Sequence, residues 1–224
     1  MTFSIAARCE RTGRFGIAIA SSSPAVAARC AHARAGVGVV ASQNVTDPAL
    51  GQRGLDLLAE GLDAAAVLER LVASTPYSAW RQLAIVDGSG RTAAFSGARA
   101  LGLHATAEGR NAVAAGNLLA AKTVPATMVR AFEAADGLLA ERLLQAMAAA
   151  VEAGGEAGPI HSAGLLVVDK VSWPVVDLRV DWHEGDPVGA LAALYALFAP
   201  QADAYVTRAL NPETAPSFGV AGDP

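Results

Sequence analysis

Along the first residues, polar and apolar positions alternate, with Thr2, Ser4 and Ala6 set against Phe3, Ile5 and Ala7. A two-residue period predicts a strand over residues 2–9. A strand this close to the start needs a reason, because termini fray unless something ties them down. "ERTGR" (10–14) is a glycine-containing turn, and "FGIAIASSS" (15–23) a second strand of the same hairpin. "GVGVVASQ" (36–43) predicts a third strand, apolar on both faces and ended by the polar cluster before Pro48. The period then changes. Leu50, Leu57, Leu58 and Leu62 fall at helical spacing, and Asp63 is placed to cap a second helix that stops at Thr75 and Pro76.

Strands return at 81–87 and 91–97 around the turn "GSG", and again at 111–117. Two helices follow over 121–135 and 138–153, split by Asp136-Gly137 and ended by Gly154-Gly155. A last pair of strands is expected at 162–169 and 174–182, then a helical region at 188–210 interrupted at Pro200, and an irregular tail from about 211. Runs of strands alternating with runs of helices indicate α+β rather than βαβ order. Strands apolar on both faces need cover on both sides. The expected architecture is therefore one domain over residues 1–224: a four-layer αββα sandwich of mostly antiparallel sheets, with 49–75, 121–153 and 188–210 outside. A two-layer α+β domain is the alternative.

Composition narrows the function classes. The 224 residues are 53% hydrophobic, much of it alanine, with a mean hydropathy of +0.34. No window reaches the roughly 18 consecutive apolar residues of a membrane span, and no secretory signal is visible. A cytoplasmic location without a membrane partner is expected. A net charge of −4, aromatics at 5% and the lack of a Lys/Arg stripe argue against nucleic acid. Two cysteines, Cys9 and Cys30, and four dispersed histidines make neither a disulfide framework nor a metal site, so no metal or cofactor is expected. The apolar helices at 121–153 and 188–210 could each bury a face against another copy, which makes a homo-oligomer the expected assembly.

Candidate chemistry is sparse. Gly36-Val37-Gly38 lacks the third glycine of a dinucleotide fingerprint and is better read as a strand that lets another backbone or a ligand approach. Cys30 and His32 could pair as nucleophile and base, but nothing nearby orients them. Arg29 and Arg34 could face an acidic substrate group. His161 follows the glycine-rich loop "AGGEAGPI", in which Glu156 is the acidic residue of interest. Gln43 and Asn44, and likewise Asn117, are strand-end amides. They suit turns, and they also suit an oxyanion hole, since they donate hydrogen bonds without charge.

Taken in order, "TFSIAARCERTGRFGIAIASSSPAVAARCAHARAGVGVVASQNVTDPALGQRGLDLL", "RQLAIVDGSGRTAAFSG", "AGNLLA" and "HSAGLLVV" resemble a bacterial and archaeal family, domain of unknown function 1028, of the Ntn-hydrolase-like superfamily. The resemblance spans nearly the whole chain and implies the same αββα sandwich. Ntn hydrolases use the first residue of the mature chain as nucleophile and its own α-amine as base. A hydroxyl needs an adjacent base, and an α-amine with a pKa of about 7.7–8.0 lies close to working pH. The resemblance thus implies Thr2 as nucleophile once Met1 is removed, acting on a small amide substrate. Asn117, or the backbone near Gly38, would stabilise the oxyanion. Ser21, Ser22 and Gln43 would line the pocket, with Arg29, Arg34, Asn44 and His161 as further substrate contacts. The rival expectations are a non-catalytic small-molecule binder that keeps the fold and a hydrolase dependent on Cys30.

Overall fold

The computed structural model describes residues 1–220. Among the described residues, ten strands form two antiparallel sheets. The six-stranded sheet has the order β10-β9-β2-β1-β8-β7, built from Val176–Val180, Ser162–Val168, Phe15–Ser21, Thr2–Arg8, Ala112–Asn117 and Ala105–Gly109. The four-stranded sheet has the order β3-β4-β5-β6, from Ala31–Arg34, Gly38–Asn44, Arg81–Asp87 and Thr92–Ser96. A short α1 (Val26–Cys30) links the two sheets.

The alternation along β1 divides its side chains between two layers. Phe3, Ile5 and Ala7 pack with Met128, Val129, Phe132, Leu143 and Met147, which belong to α4 (Val124–Ala134) and α5 (Leu139–Glu152). Ala6 points the other way, into a layer where Phe15, Ile17, Val113 and Ala115 meet Val39, Ala41, Ala84 and Val86 of the smaller sheet. The outer face of that sheet, with Val40, Leu83 and Ile85, is covered by Leu50, Leu55, Leu58, Val67 and Leu71 of α2 (Pro48–Ala59) and α3 (Ala64–Ala73). The chain is thus an αββα sandwich, because each sheet has two apolar faces and each is buried on both sides. α6 (Pro187–Phe198) completes the cover on the larger sheet. A 3-10 turn at Ala199–Gln201, carrying Pro200, separates it from α7 (Ala202–Leu210), which buries no residue. No helix among the described residues is long and apolar enough to cross a membrane. Of the irregular tail expected from about 211, residues 221–224 lie outside the described residues.

Local chemistry sets the element ends. Asp47 and Asp63 cap α2 and α3, accepting from Ala49 N at 3.1 Å and Ala66 N at 2.9 Å. Asp87, the last residue of β5, is buried and accepts from Ser89 N, Arg91 N, Arg91 Nε and, at the start of α3, Ala64 N. Burial pushes its carboxyl up, but the Ser89 and Arg91 hydrogen bonds outweigh that and hold it below the usual range. Three elements were not expected from the sequence: α1, the four-residue β3 and the edge strand β7.

β1 lies inside the larger sheet, paired along its length with β2 on one side and β8 on the other. This is why an extended start is stable here: both rows of backbone groups are satisfied and six of its seven side chains are buried.

Candidate active site

At the Thr2 end of the strands the layer between the sheets turns from apolar to polar. The register aligns Ser162, Ser21, Thr2 and Asn117 across the larger sheet. Across the smaller sheet it aligns Gln43, Gln82 and Ser96. All but Ser96 are buried. Ser4 Oγ donates to Gln43 Oε1 at 2.6 Å, and Gln43 Nε2 donates to Gln82 Oε1 at 2.8 Å. Asn117 Nδ2 donates to the same oxygen at 3.0 Å. Gln82 Nε2 donates to Ser96 Oγ and Gly116 O, both at 2.9 Å. Buried amides left unpaired would cost about 1–3 kcal/mol each; paired, they lock the two sheets in one relative position just behind Thr2.

On the other side of Thr2 the partners are hydroxyls. Thr2 Oγ1 donates to the Met1 carbonyl at 2.5 Å and lies 3.3 Å from Ser21 Oγ. Ser21 Oγ also donates to the Met1 carbonyl and lies 2.9 Å from Ser23 Oγ. Arg29 Nη2 reaches Ser23 Oγ at 3.1 Å, while Nη1 donates to Pro24 O at 2.7 Å. A chain of hydrogen bonds therefore runs from the Met1 carbonyl through Ser21 and Ser23 to a guanidinium, with the Thr2 hydroxyl on the same carbonyl. The chain's two lysines, Lys122 and Lys170, take no part in it.

Glu156 closes the site from the loop after α5. Its Oε2 accepts from Ser22 N at 3.1 Å, while Oε1 is buried with no hydrogen-bond partner among the described residues. Burial pushes this carboxyl up to about 7, with the nearby amino terminus of Met1 and the Ser22 hydrogen bond pulling the other way. The loop is held by the Leu119–Glu156 bridge and by Ala157 N donating to Leu118 O at 2.9 Å. Among the described residues there is no group of three or more His, Cys, Asp or Glu that could hold a metal ion.

This arrangement sits in a chain whose residues 2–191 match a family model described as "Family of unknown function (DUF1028)". The chain belongs to that family. The crystal structure of protein SPO2555 from Silicibacter pomeroyi, carrying the same family designation, superposes with a TM-score of 0.83 at 32% identity, covering 88% of this chain and 89% of that one. Two further solved structures are much more distant. A Gly-1 mutant of Anbu from Hyphomicrobium sp. strain MC1 gives a TM-score of 0.43 at 12% identity, covering 98% of this chain and 100% of that one. Anbu from Yersinia bercovieri gives 0.37 at 11%, covering 88% and 97%. Neither is near enough to inform this chain's chemistry. No curated protein matches the sequence significantly.

Within this DUF1028 chain the residues expected at the site fall into two groups. Ser21, Ser22, Gln43, Asn117 and, through Ser23, Arg29 are brought to the Thr2 end. Arg34 and Gly38 are not. They pair with each other at the opposite end of β3 and β4, about 17 Å from Gln43 at the rise of a strand, and Arg34 is held in an ion pair with Asp56 at 2.7 Å. Gly38 is required by packing instead: at φ +155°, a Cβ there would lie 2.4 Å from Val86 O. Gly38→Ala is expected to lower stability by about 1–3 kcal/mol, read as the midpoint of urea unfolding.

Asn44 lies beside the site with its amide already committed. Nδ2 donates to Trp80 O at 2.6 Å, and Oδ1 accepts from Leu101 N at 3.2 Å. His161 sits at the rim, its ring stacked on Trp182 at 4.3 Å and its Nδ1 3.1 Å from His183 O. Cys30 is buried, and burial pushes its thiol up against the opposing hydrogen bond from Thr46. His32 Nε2 faces Arg29 O at 3.3 Å. A thiol held protonated is a poor nucleophile. Sequence reasoning missed Ser4, Ser23, Gln82 and Ser162. Gln82 had a readable signal: it is the one polar residue on the Gln82, Ala84, Val86 face of β5.

Proposed function

We propose that this protein is an N-terminal-nucleophile amidohydrolase in which Thr2, freed by removal of Met1, cleaves the C–N bond of a small amide in the cytoplasm. The observation that carries this reading is the position of Thr2: a central strand delivers its side chain to a buried polar layer, between Ser21 and Asn117. There the Thr2 hydroxyl attacks the substrate carbonyl and its proton passes to the α-amine of the same residue. The amine needs no further positioning because it is covalently attached. The chain from Ser23 to the Arg29 cation behind Ser21 polarises the Ser21 hydroxyl towards the developing oxyanion of the substrate. Ser21 Oγ, which donates to the Met1 carbonyl, and Asn117 Nδ2, on the strand paired with Thr2, are the uncharged donors for the carbonyl oxygen. Gln82 fixes the Asn117 amide, so this donor is oriented before substrate arrives.

The test is covalent labelling with a β-lactone, an electrophile that acylates an activated hydroxyl. Protein shown by intact mass to start at Thr2 is expected to gain one acyl group that maps to Thr2, in the parent and in Cys30→Ala alike. Protein retaining Met1 is expected to stay unlabelled, since an amide nitrogen is no base. Labelling at Cys30 instead, or equal labelling with Met1 in place, overturns the proposal.

A further inference from the structure

Met1 is seated as a substrate would be. Its carbonyl oxygen accepts from both the Thr2 and Ser21 hydroxyls. Its side chain lies over Gly158, where a Cβ would come within 2.8 Å of Met1 Cε and 3.4 Å of Sδ. Its amino terminus lies within electrostatic reach of Glu156, whose Oε1 is buried without a partner among the described residues in a residue only 5% exposed. Ammonium, carbonyl and unbranched apolar side chain are the three parts of an α-aminoacyl group, and each has a counterpart in the fold. When Met1 leaves, those counterparts remain, held by the bridge between Leu119 and Glu156. Burying a carboxylate oxygen with no partner is unfavourable unless a cation completes it.

We infer that the space occupied by Met1 is the acyl subsite, and that the substrates are amides of α-amino acids with a free α-ammonium group and an unbranched apolar side chain. This rests on the reading of Thr2 as nucleophile. Thr2 N and Oγ1 are borne on adjacent carbons, so a carbonyl carbon bound to N in the unprocessed chain is one five-membered ring away from Oγ1. An acyl group on Oγ1 can therefore occupy nearly the same space. In the reaction Oγ1 forms the C–O bond and its proton moves to the Thr2 amine. The C–N bond then breaks and the leaving amine takes that proton. Water next adds to the ester, releasing the amino acid and restoring the Thr2 hydroxyl. Glu156 holds the substrate ammonium throughout, Ser21 the carbonyl oxygen, and Gly158 leaves room for the side chain.

The experiment compares L-methionine p-nitroanilide with N-acetyl-L-methionine p-nitroanilide on protein verified to begin at Thr2, by release of p-nitroaniline. A free ammonium paired with a buried carboxylate is expected to give about 10- to 100-fold higher kcat/KM, mainly through KM. Glu156→Gln should bring that ratio towards one. Gly158→Val should penalise the methionine amide relative to the alanine amide, because the added methyls enter the space of the side chain. Equal or faster hydrolysis of the acetylated amide overturns this inference and leaves the Thr2 reading standing. So does β-lactone labelling of Thr2 in protein that hydrolyses neither anilide. Absence of both labelling and hydrolysis overturns the Thr2 reading itself.

Discussion

Thr2→Ala is expected to reduce amide hydrolysis by about 10²–10⁴-fold or more, the range for losing acid–base assistance alone, without unfolding the protein. The strand has room for the change: Thr2 contributes its backbone to pairing with Ser21 and Asn117, and those bonds do not depend on its hydroxyl. What disappears is the nucleophile, while its amine, the Asn117 donor and the Ser21–Ser23–Arg29 chain stay in place. Thr2→Ser keeps the hydroxyl and the amine and should retain a measurable part of the rate. Its loss comes from the missing methyl, which limits the rotamers open to Oγ. Protein with Met1 retained should be as inactive as Thr2→Ala, because the nitrogen at Thr2 is then an amide. Steady-state kinetics on the three proteins, with circular dichroism as the check on folding, decides the matter. Equal turnover with and without Met1 would remove the α-amine from the mechanism.

Glu156→Gln should change how stability depends on pH in the Met1-bearing protein. The folded carboxyl is raised by burial from its ordinary 4.5 to about 7. Below about 4.5 it is protonated whether the chain is folded or not, and nothing is lost. Between about 4.5 and 7 the unfolded chain releases the proton while the folded one keeps it. The unfolded state therefore binds fewer protons, and folding weakens as pH rises. Above about 7 both forms are ionised and the penalty is constant, of the order of 3 kcal/mol from a shift of this size. A glutamine cannot ionise. Whatever the substitution costs in itself, the variant should gain about 3 kcal/mol on the parent between pH 4 and pH 8. Contributions from other carboxylates, such as Asp87, are common to both proteins and cancel in this comparison. Urea unfolding of both across that range measures it, and parallel curves would mean that Glu156 ionises freely in the folded protein.

Much of the architecture was legible because burial writes itself into period. β5 was expected at 81–87 and spans Arg81–Asp87. β1 begins at Thr2 as its alternation requires, and Asp63 caps α3 as its position before an apolar helix implies. The αββα order followed from strands apolar on both faces, since a sheet that is hydrophobic twice over must be covered twice. Of the elements that escaped notice, α1 is too short to show a helical period, and β3 and β7 bury too little to leave a pattern. All four residues of β3 are only half-buried, and β7 alternates exposed with half-buried positions at a sheet edge.

The candidate site divides along the same line. Residue type marked Gln43 and Asn117 as amides able to stabilise a carbonyl, and the family resemblance added Thr2 as the group to attack it and Ser21 beside it. Which end of a strand faces which is a matter of register, and local sequence says little about pairings that join residues far apart. Tertiary structure therefore decided that Asn117 stands beside Thr2 while Gly38 and Arg34 lie at the far end. It brought Gln82 in as the link between the two sheets, and it carried Glu156 across from the loop after α5 to the amino terminus. Composition and periodicity determined the layers, because hydrophobic burial is non-directional and sums over many residues. The site was left to the tertiary fold, because hydrogen bonds are directional and act only between groups that pairing has already placed within about 3 Å of each other.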